Sequence, residues 1–517
     1  MDLASSLSIA TSGLHAIDYQ LSVTSQNVSN SSVAGYVSES ATVLTRTPGG
    51  LRAGVVPGST VLNVNKALQA SLYSQNAKVA ASSELSNSLS AITALQGSTD
   101  TDTTTTTGSS NSLPDSLGNI QSTLTALAST PLESSAQSAV VSAAQTLTTN
   151  IHALSDAYTA QKQTAQDNIV TTVSTLNSQL TQIGSLSAQI MNLKSVGSDT
   201  ADLENQRLEA MNSLSSNLSV TFSETSNGDM VVRTEDGTQI PTRPDQISKP
   251  HNLVKLPTNT WPLSATTTTL SASTVYPSST DMAITVAGKD GSKDITSHLT
   301  GGTLGADITL RDSTYPTMQA QLDSFSYTLI TRFNKAGVSL FTDGSTSSPS
   351  STSSSLVGLS SKLSVASDYV SDPSKLSAGG DTATSSGDIS AITKVLSKTF
   401  GTSDEDTNGT GGALAAPSTG LGPDGSINIS YSGKQGLIAL ATSLTSDQAS
   451  VASDASSGLT YSTSVQTTLK GAVSSVSGVD VNNEMAKVVA LQNAYTANAK
   501  VISTIQTMFS ALINAIN

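Results

Sequence analysis

The sequence predicts a mainly α-helical chain with inserted β domains, rod-like, whose N- and C-terminal heptad helices pack together as a coiled-coil stem. Three observations carry this. Both ends show apolar residues at alternating steps of three and four, the segment between Pro131 and Pro241 holds no proline, and near residue 218 the apolar period drops to two.

At the N-terminus, Leu7, Leu14, Leu21 and Val28 form one heptad column, and Leu3, Ala10, Ile17 and Thr24 form the second. Asp2 is placed to cap this helix, because its carboxylate can accept the free amide hydrogens of a first turn. Gly13 weakens the interior by about 1 kcal/mol relative to Ala. The helix is followed by "SQNVSNSSVAGYVSES", residues 25–40. Here Asn27 and Asn30 are read as residues that tolerate turn geometry and end the helix, Gly35 as a point of backbone freedom, and Tyr36 as an anchor.

The C-terminus repeats the design. Val481, Val488, Tyr495, Ile502, Phe509 and Ile516 form one column, and Glu484, Leu491, Asn498, Ile505 and Leu512 the other. Met485, Val501, Met508 and Ile513 flank these columns, so the apolar face is wider than a two-stranded seam needs. Asn498 interrupts the inner column, and a buried Asn can fix register. Packing within one subunit and packing between subunits both remain open. Either requires the two ends to meet.

Between the ends, the reading is six segments: 1–60, the N-terminal helix and turn; 61–217, a long helical domain; 218–312, a β-rich domain; 313–341, a returning helix; 342–432, a linker and second β-rich insert; 433–517, the C-terminal helical stem. The helical domain keeps steps of three and four through Val140, Ala144, Leu147, Ile151, Leu154 and Tyr158. "STDTDTTTTTGSSNS" (98–112) has nothing to bury and reads as an exposed loop. "LSVTFSETSNGDMVVRTEDGTQI" alternates and carries Asn-Gly and Asp-Gly turn signals, which predicts a β-meander. "DMAITV" and "ADITL" extend the β-like character to about residue 310, and Tyr315, Met318, Leu322, Phe325, Leu329 and Phe333 then line one helix face.

Composition narrows the function. Of 517 residues, 36% are hydrophobic, 3% aromatic and 12% charged, so the cores must be built thinly from Leu, Ile, Val and Ala. The formal charge is −14 with Lys and Arg scattered, which leaves no basic footprint for nucleic acid. With no cysteine there is no disulfide, thiolate metal site or thiol nucleophile. The first twenty residues lack a basic region and an uninterrupted apolar run, so any export is expected to proceed without a conventional signal; no window is long and apolar enough to span a membrane.

No catalytic pattern stands out, and the expectation is a non-enzyme without cofactor or metal. His15, His152, His251 and His298 form no paired ligand motif, and no nucleotide loop or nucleophile elbow is present. Asp404, Asp406, Asn408 and Gly409 match the front half of a calcium loop, but Ala415 stands where the twelfth-position Glu should be. An acidic surface turn accounts for them.

The residues at both ends resemble the signatures of the flagellar rod, hook and junction axial proteins: an N-x-x-N…GY turn after the first helix, and "SGVDVNNEMAKVVALQNAYTANAKVISTIQTMFSALINAIN" at the C-terminus. "LENQRLEAMNSLSSNL" before a β-meander and "GGTLGADITLRDSTYPTMQAQLDSFSYTLITRFNKAG" are similar to the hook-associated, hook–filament junction group of that family. Asn482 and Asn483 depart from it, standing where acidic residues are common. The resemblance implies a secreted, extracellular structural component of the bacterial flagellum at the hook–filament junction. It also implies unfolded type III export, a ring of copies of itself, contacts with hook protein and a second junction protein, and a cytoplasmic export chaperone on the C-terminal helix. A hook or rod protein is the near alternative, and a secreted Ser/Thr-rich adhesin the distant one. Under this reading the assembly interface is Leu3, Leu7, Leu14, Ile17, Leu21, Val28, Val488, Leu491, Tyr495, Asn498, Ile502, Ile505, Phe509, Leu512 and Ile516.

Overall fold

The computed structural model describes residues 3–33, 35–47, 54–96, 112–247, 260–274, 282–289, 291–345, 349–382, 384–401, 415–430 and 435–516. Asp2, His251, the Asp404–Gly409 stretch and all of the 98–112 tract except Ser112 lie outside these residues. The long helices are α1 (Leu3–Asn30), α2 (Lys66–Gln96), α3 (Leu113–Ser129), α4 (Ser134–Ser195), α5 (Ala201–Asn217), α6 (Gly302–Thr309) and α7 (Tyr315–Lys335). Short helices α8 (Ser353–Leu356), α9 (Leu359–Lys362), α10 (Ser367–Ser371) and α11 (Ser390–Lys394) precede α12 (Leu437–Ser477) and α13 (Val481–Ile516).

The proline-free stretch becomes α4, 62 residues in one helix, about 93 Å at 1.5 Å per residue. It carries two cores. Its first half packs with α3, α7 and α12 around Leu147, Ile151, Phe325, Leu329 and Phe333. Its second half packs with α5 and the sheets around Ile169, Leu176, Leu180, Met211 and Val232. α3 starts where Ser112 accepts the Asp115 amide at 3.2 Å, with Pro114 in a first turn that needs no amide partner there.

The sheets are small and antiparallel. β1 (Glu39–Thr45) pairs with β2 (Val55–Leu62), with an irregularity between Ala41 and Val43. β3 (Val220–Glu224), β4 (Met230–Thr234) and β5 (Gln239–Ile240) form the meander expected from the alternation. β6 (Leu263–Ser264), β7 (Thr285–Gly288) and β8 (Gly291–Asp294) form another three-stranded sheet, and β9 (Phe341–Thr342) pairs with β10 (Ser364–Val365).

Two expectations need correction. "ADITL" is helical: α6 continues through a π-type turn at Leu310–Thr314 into α7. Within this stretch Ala306, Asp307 and Leu310 are buried while Thr309 is exposed, a helical rather than an alternating pattern, so packing against α2 and α4 overrides the local alternation. The 342–432 insert is not β-rich among the described residues. It holds the short helices α8 to α11, the two-residue strand β10 and two isolated bridges, Ala378–Asp388 and Leu421–Ile427. Its Gly and Asp residues make turns, while Leu359, Leu363, Tyr369, Leu376, Ile392 and Val395 insert singly into the first core. The N-terminal segment, read as a helix and turn, also contains the β1–β2 hairpin.

Buried polar side chains tie the helices. α2 and α12 lie antiparallel, and Gln448 of α12 accepts from Tyr158 of α4 at 2.7 Å, donates to Gln321 of α7 at 2.8 Å and meets Gln96 of α2. In the apolar layer, Phe333 meets Phe341 and Phe400 edge-to-face, at centroid distances of 4.9 and 6.2 Å. Phe333→Ala removes a fully buried ring and should cost about 3–5 kcal/mol in chemical denaturation followed by far-UV circular dichroism.

Candidate assembly interface

α1 and α13 run antiparallel: Asn27 near the end of α1 meets Glu484 in the first turn of α13, and Gly13 faces Asn498. The two interruptions of the heptads thus face one another. A Cβ on Gly13 would stand 3.0 Å from Asn498 Nδ2, so the missing side chain makes room for the amide. Toward the free tip the pair opens onto a cavity of about 340 Å³ lined by Ser6, Ile9, Ala10, Val501 and Ile505 with Gly54 and Val55 of the hairpin.

Asn27 sits inside α1 rather than in the turn after it, which corrects its reading as a turn former. It is 0% exposed. Its Oδ1 accepts the Glu39 amide at 2.9 Å and the Tyr36 hydroxyl at 3.1 Å; its Nδ2 donates to the Glu39 carbonyl at 2.8 Å and to Glu484 Oε2 at 3.3 Å. All four hydrogen-bonding positions of the side chain are occupied. Asn30 is the last residue of α1 and accepts the Val33 amide at 2.9 Å through its carbonyl. Gly35 has φ +83°, a left-handed conformation costly for any residue with a Cβ, and it releases the chain so that Tyr36 can turn back to Asn27.

The far side of this joint is held by α5 and the loop before it. Asn205 accepts the Val37 amide at 3.0 Å, donates to the Val37 carbonyl at 3.1 Å and to Glu39 Oε1 at 2.9 Å. Asp202 accepts from Gln26 at 2.7 Å, and Asp199 accepts from the Thr60 hydroxyl, itself 2.8 Å from Tyr19 Oη. The Ser38 amide donates to the Ser477 carbonyl at 2.8 Å, next to the break between α12 and α13. α13 is started by Asp480, whose Oδ1 accepts the Asn482 amide at 3.0 Å and the Asn483 amide at 3.3 Å. Lys487 donates to Glu484 at 2.6 Å and neutralises that buried carboxylate.

The environment shifts the titration of these groups. Burial, with the nearby Glu39 carboxylate, pushes the Tyr36 phenol up to about 12, so it stays a donor. Burial pushes the Glu39 carboxyl up as well, reinforced by Asp202 and Asp199 and opposed by the Asn205 hydrogen bond. Burial works against ionisation of Asp199 too, but hydrogen bonds from Thr60 and from the Ala201 and Thr200 backbone hold it below its usual value.

The candidate interface residues divide between two sides. On α1, Ile17 is buried with Ala10 and Thr24 of its column, while Leu3, Leu7, Leu14, Leu21 and Val28 are half-buried. On α13, Ile505 is buried, and Val488, Leu491, Asn498, Ile502 and Phe509 are half-buried toward α1. Tyr495 and Leu512 face outward with Val481, Met485, Val489, Met508 and Ile513, from 40% exposed at Tyr495 to 59% at Ile513, while Val501 borders the cavity. For Ile516 the structure describes only the backbone. Glu39, Thr60, Asp199, Asp202 and Asn205 escaped the sequence reading because their roles depend on contacts across 12 to 176 positions. A partial signal existed: the "LENQ" run at the head of α5 carries Asn205.

Comparison with known proteins then identifies two segments. Residues 98–346 match the family model described as the flagellar hook-associated protein FlgK helical domain. Residues 470–515 match the flagellar basal body rod FlgEFG protein C-terminal model. Among solved structures, the flagellar hook junction protein FlgK from Burkholderia pseudomallei is similar at 22% identity and a TM-score of 0.42, over 53% of this chain and 46% of that one. This chain therefore spans less than half the length of that protein. No curated protein sequence matches.

Asn27→Ala leaves the Glu39 backbone, the Tyr36 hydroxyl and Glu484 short of partners. It should destabilise docking of α13 by about 2–3 kcal/mol, seen as faster amide exchange in Val481–Leu491 while exchange in α4 stays unchanged.

Proposed function

We propose that this chain, which carries the helical domain of the flagellar hook-associated protein FlgK family followed by a rod-type C-terminal segment, is a structural subunit of the hook–filament junction of the flagellum. The observation that carries this reading is the match over residues 98–346, because the terminal signatures are common to rod, hook and junction proteins alike. The family is structural and non-enzymatic. Its place is outside the cell, and no helix among the described residues is long and apolar enough to cross a membrane.

The working parts are the terminal helices. The α1–α13 pair buries one seam and leaves apolar side chains along the outside of α13, which suits a helix that completes its packing against neighbours. The finer partners follow the same reading: further copies in a ring, hook protein on one side, a second junction protein on the other, and an export chaperone covering α13 before assembly. Deletion of the gene tests the whole. Cells that keep hooks and lose filaments support a junction subunit, whereas cells without hooks point to a hook or rod protein.

Two outcomes follow for the stem. In the free monomer, amide exchange should be graded along the pair, slowest beside Asn27 and Glu484 and fast in Leu3–Ala10 and beyond Val501, where the cavity leaves the seam open. Uniform slow exchange over both ends would instead describe a self-sufficient intramolecular core. Leu14→Asp or Phe509→Asp should abolish incorporation into the flagellum, scored by electron microscopy. Thermal unfolding of the middle of the chain should stay within about 0.5 kcal/mol of the parent.

A further inference from the structure

A second acidic site lies far from the stem, where the two cores meet. α6 packs against α2 and α4 and passes through the π-type turn into α7. Asp307 on α6 is 1% exposed, and its Oδ1 has no hydrogen-bond partner. Tyr315, the first residue of α7, is equally buried, and its hydroxyl also lacks one. Across from them, Glu84 of α2 accepts from Ser88 at 3.1 Å and from Asn168 of α4 at 3.5 Å. The neighbouring cations are committed elsewhere. Arg311 donates to Asp312 at 2.6 and 2.8 Å, to Gln166 at 2.6 Å and to the Met282 carbonyl, and Lys162 donates to the Thr274 carbonyl at 2.8 Å.

An ionised Asp307 would therefore be a buried carboxylate opposite a second carboxylate, with one oxygen unsatisfied. Protonation removes the charge and adds the O–H donor that this acceptor-rich cluster is short of. We propose that the folded chain carries Asp307 as a neutral carboxylic acid, and that its proton locks the seam where α6 and the start of α7 meet α2 and α4. The site uses no residue of the assembly interface, so it stands independently of the flagellar reading.

Burial first, and Glu84 second, push the Asp307 carboxyl up to about 8, against an ordinary 3.8, with a hydrogen bond from Asn168 working the other way. Burial, Glu84 and Asp307 likewise push the Tyr315 phenol up, so it does not titrate in the same range. Between these two values the folded chain holds one proton that the unfolded chain has released. Stability must then fall as pH rises toward 8 and level off above it.

The test is urea unfolding of the full chain from about pH 5.5 to pH 9.5, with Asp307→Asn as the variant that keeps the shape of the neutral acid without titrating. The unfolding constant of the parent should rise relative to the variant by close to tenfold per pH unit up to about pH 8. Amide exchange in α6 and the first turns of α7 should quicken over the same range in the parent only. Equal pH dependence in both proteins would overturn the proposal. So would stabilisation of the parent at pH 9 by calcium or sodium chloride that is lost in the variant, because a metal cation and not a proton would then fill the site. If Asp307→Asn does not fold, Glu84→Gln serves instead. Removing the like charge should move the levelling-off to lower pH, and an unmoved profile would count against the lock.

Discussion

The stem depends on one buried asparagine. Asn27 joins the first helix, the hairpin that follows it and the last helix of the chain through four hydrogen bonds, none of them to a nearby position in its own helix. A buried amide is costly unless every donor and acceptor finds a partner, so this side chain specifies the arrangement around it. α1 could slide along α13 and still bury apolar surface. It could not do so and keep Asn27 satisfied.

The same device recurs in the body. Asn27 clasps the N–H and C=O of Glu39, Asn205 those of Val37, and Asn177 those of Leu263 at 2.9 and 2.8 Å. In each case a helical asparagine presents the donor and acceptor of a peptide unit to an extended residue, standing in for a neighbouring strand. This suits a chain poor in aromatic and charged residues. Where thin apolar cores leave orientation loosely determined, paired hydrogen bonds fix how helices and small sheets meet.

The distribution of contacts makes body and stem unlike. α4 is covered along its length by two cores and by polar ties such as Gln448, so the body has partners for most of its apolar surface. The stem has one seam, an unfilled cavity toward its tip and an outward row of apolar side chains on α13. This contrast fits the proposed place at a junction between two tubes, where neighbouring copies would complete the packing of the stem.

Local pattern carried the long elements. Heptad columns at both ends, the proline-free α4 and the alternation of β3 and β4 were legible because each depends on side chains a few positions apart. "ADITL" misled because a short apolar run fits either period, and packing of Leu304 and Asp307 against α2 and α4 decided for helix. The insert misled because Gly and Asp signal turns without saying whether strands lie between them. By itself the sequence determined that the ends are amphipathic helices able to pair and that a turn with Gly35 and Tyr36 follows the first. Only the tertiary structure decided that Gly13 faces Asn498, that Asn27 lies at the centre of the joint, and which half of the α13 face stays open. The reason is physical: periodicity records which face of a helix is apolar, whereas the partners of a buried polar group depend on how the chain folds back, here from Tyr36 and Glu39 just beyond the helix to Glu484 near the other end.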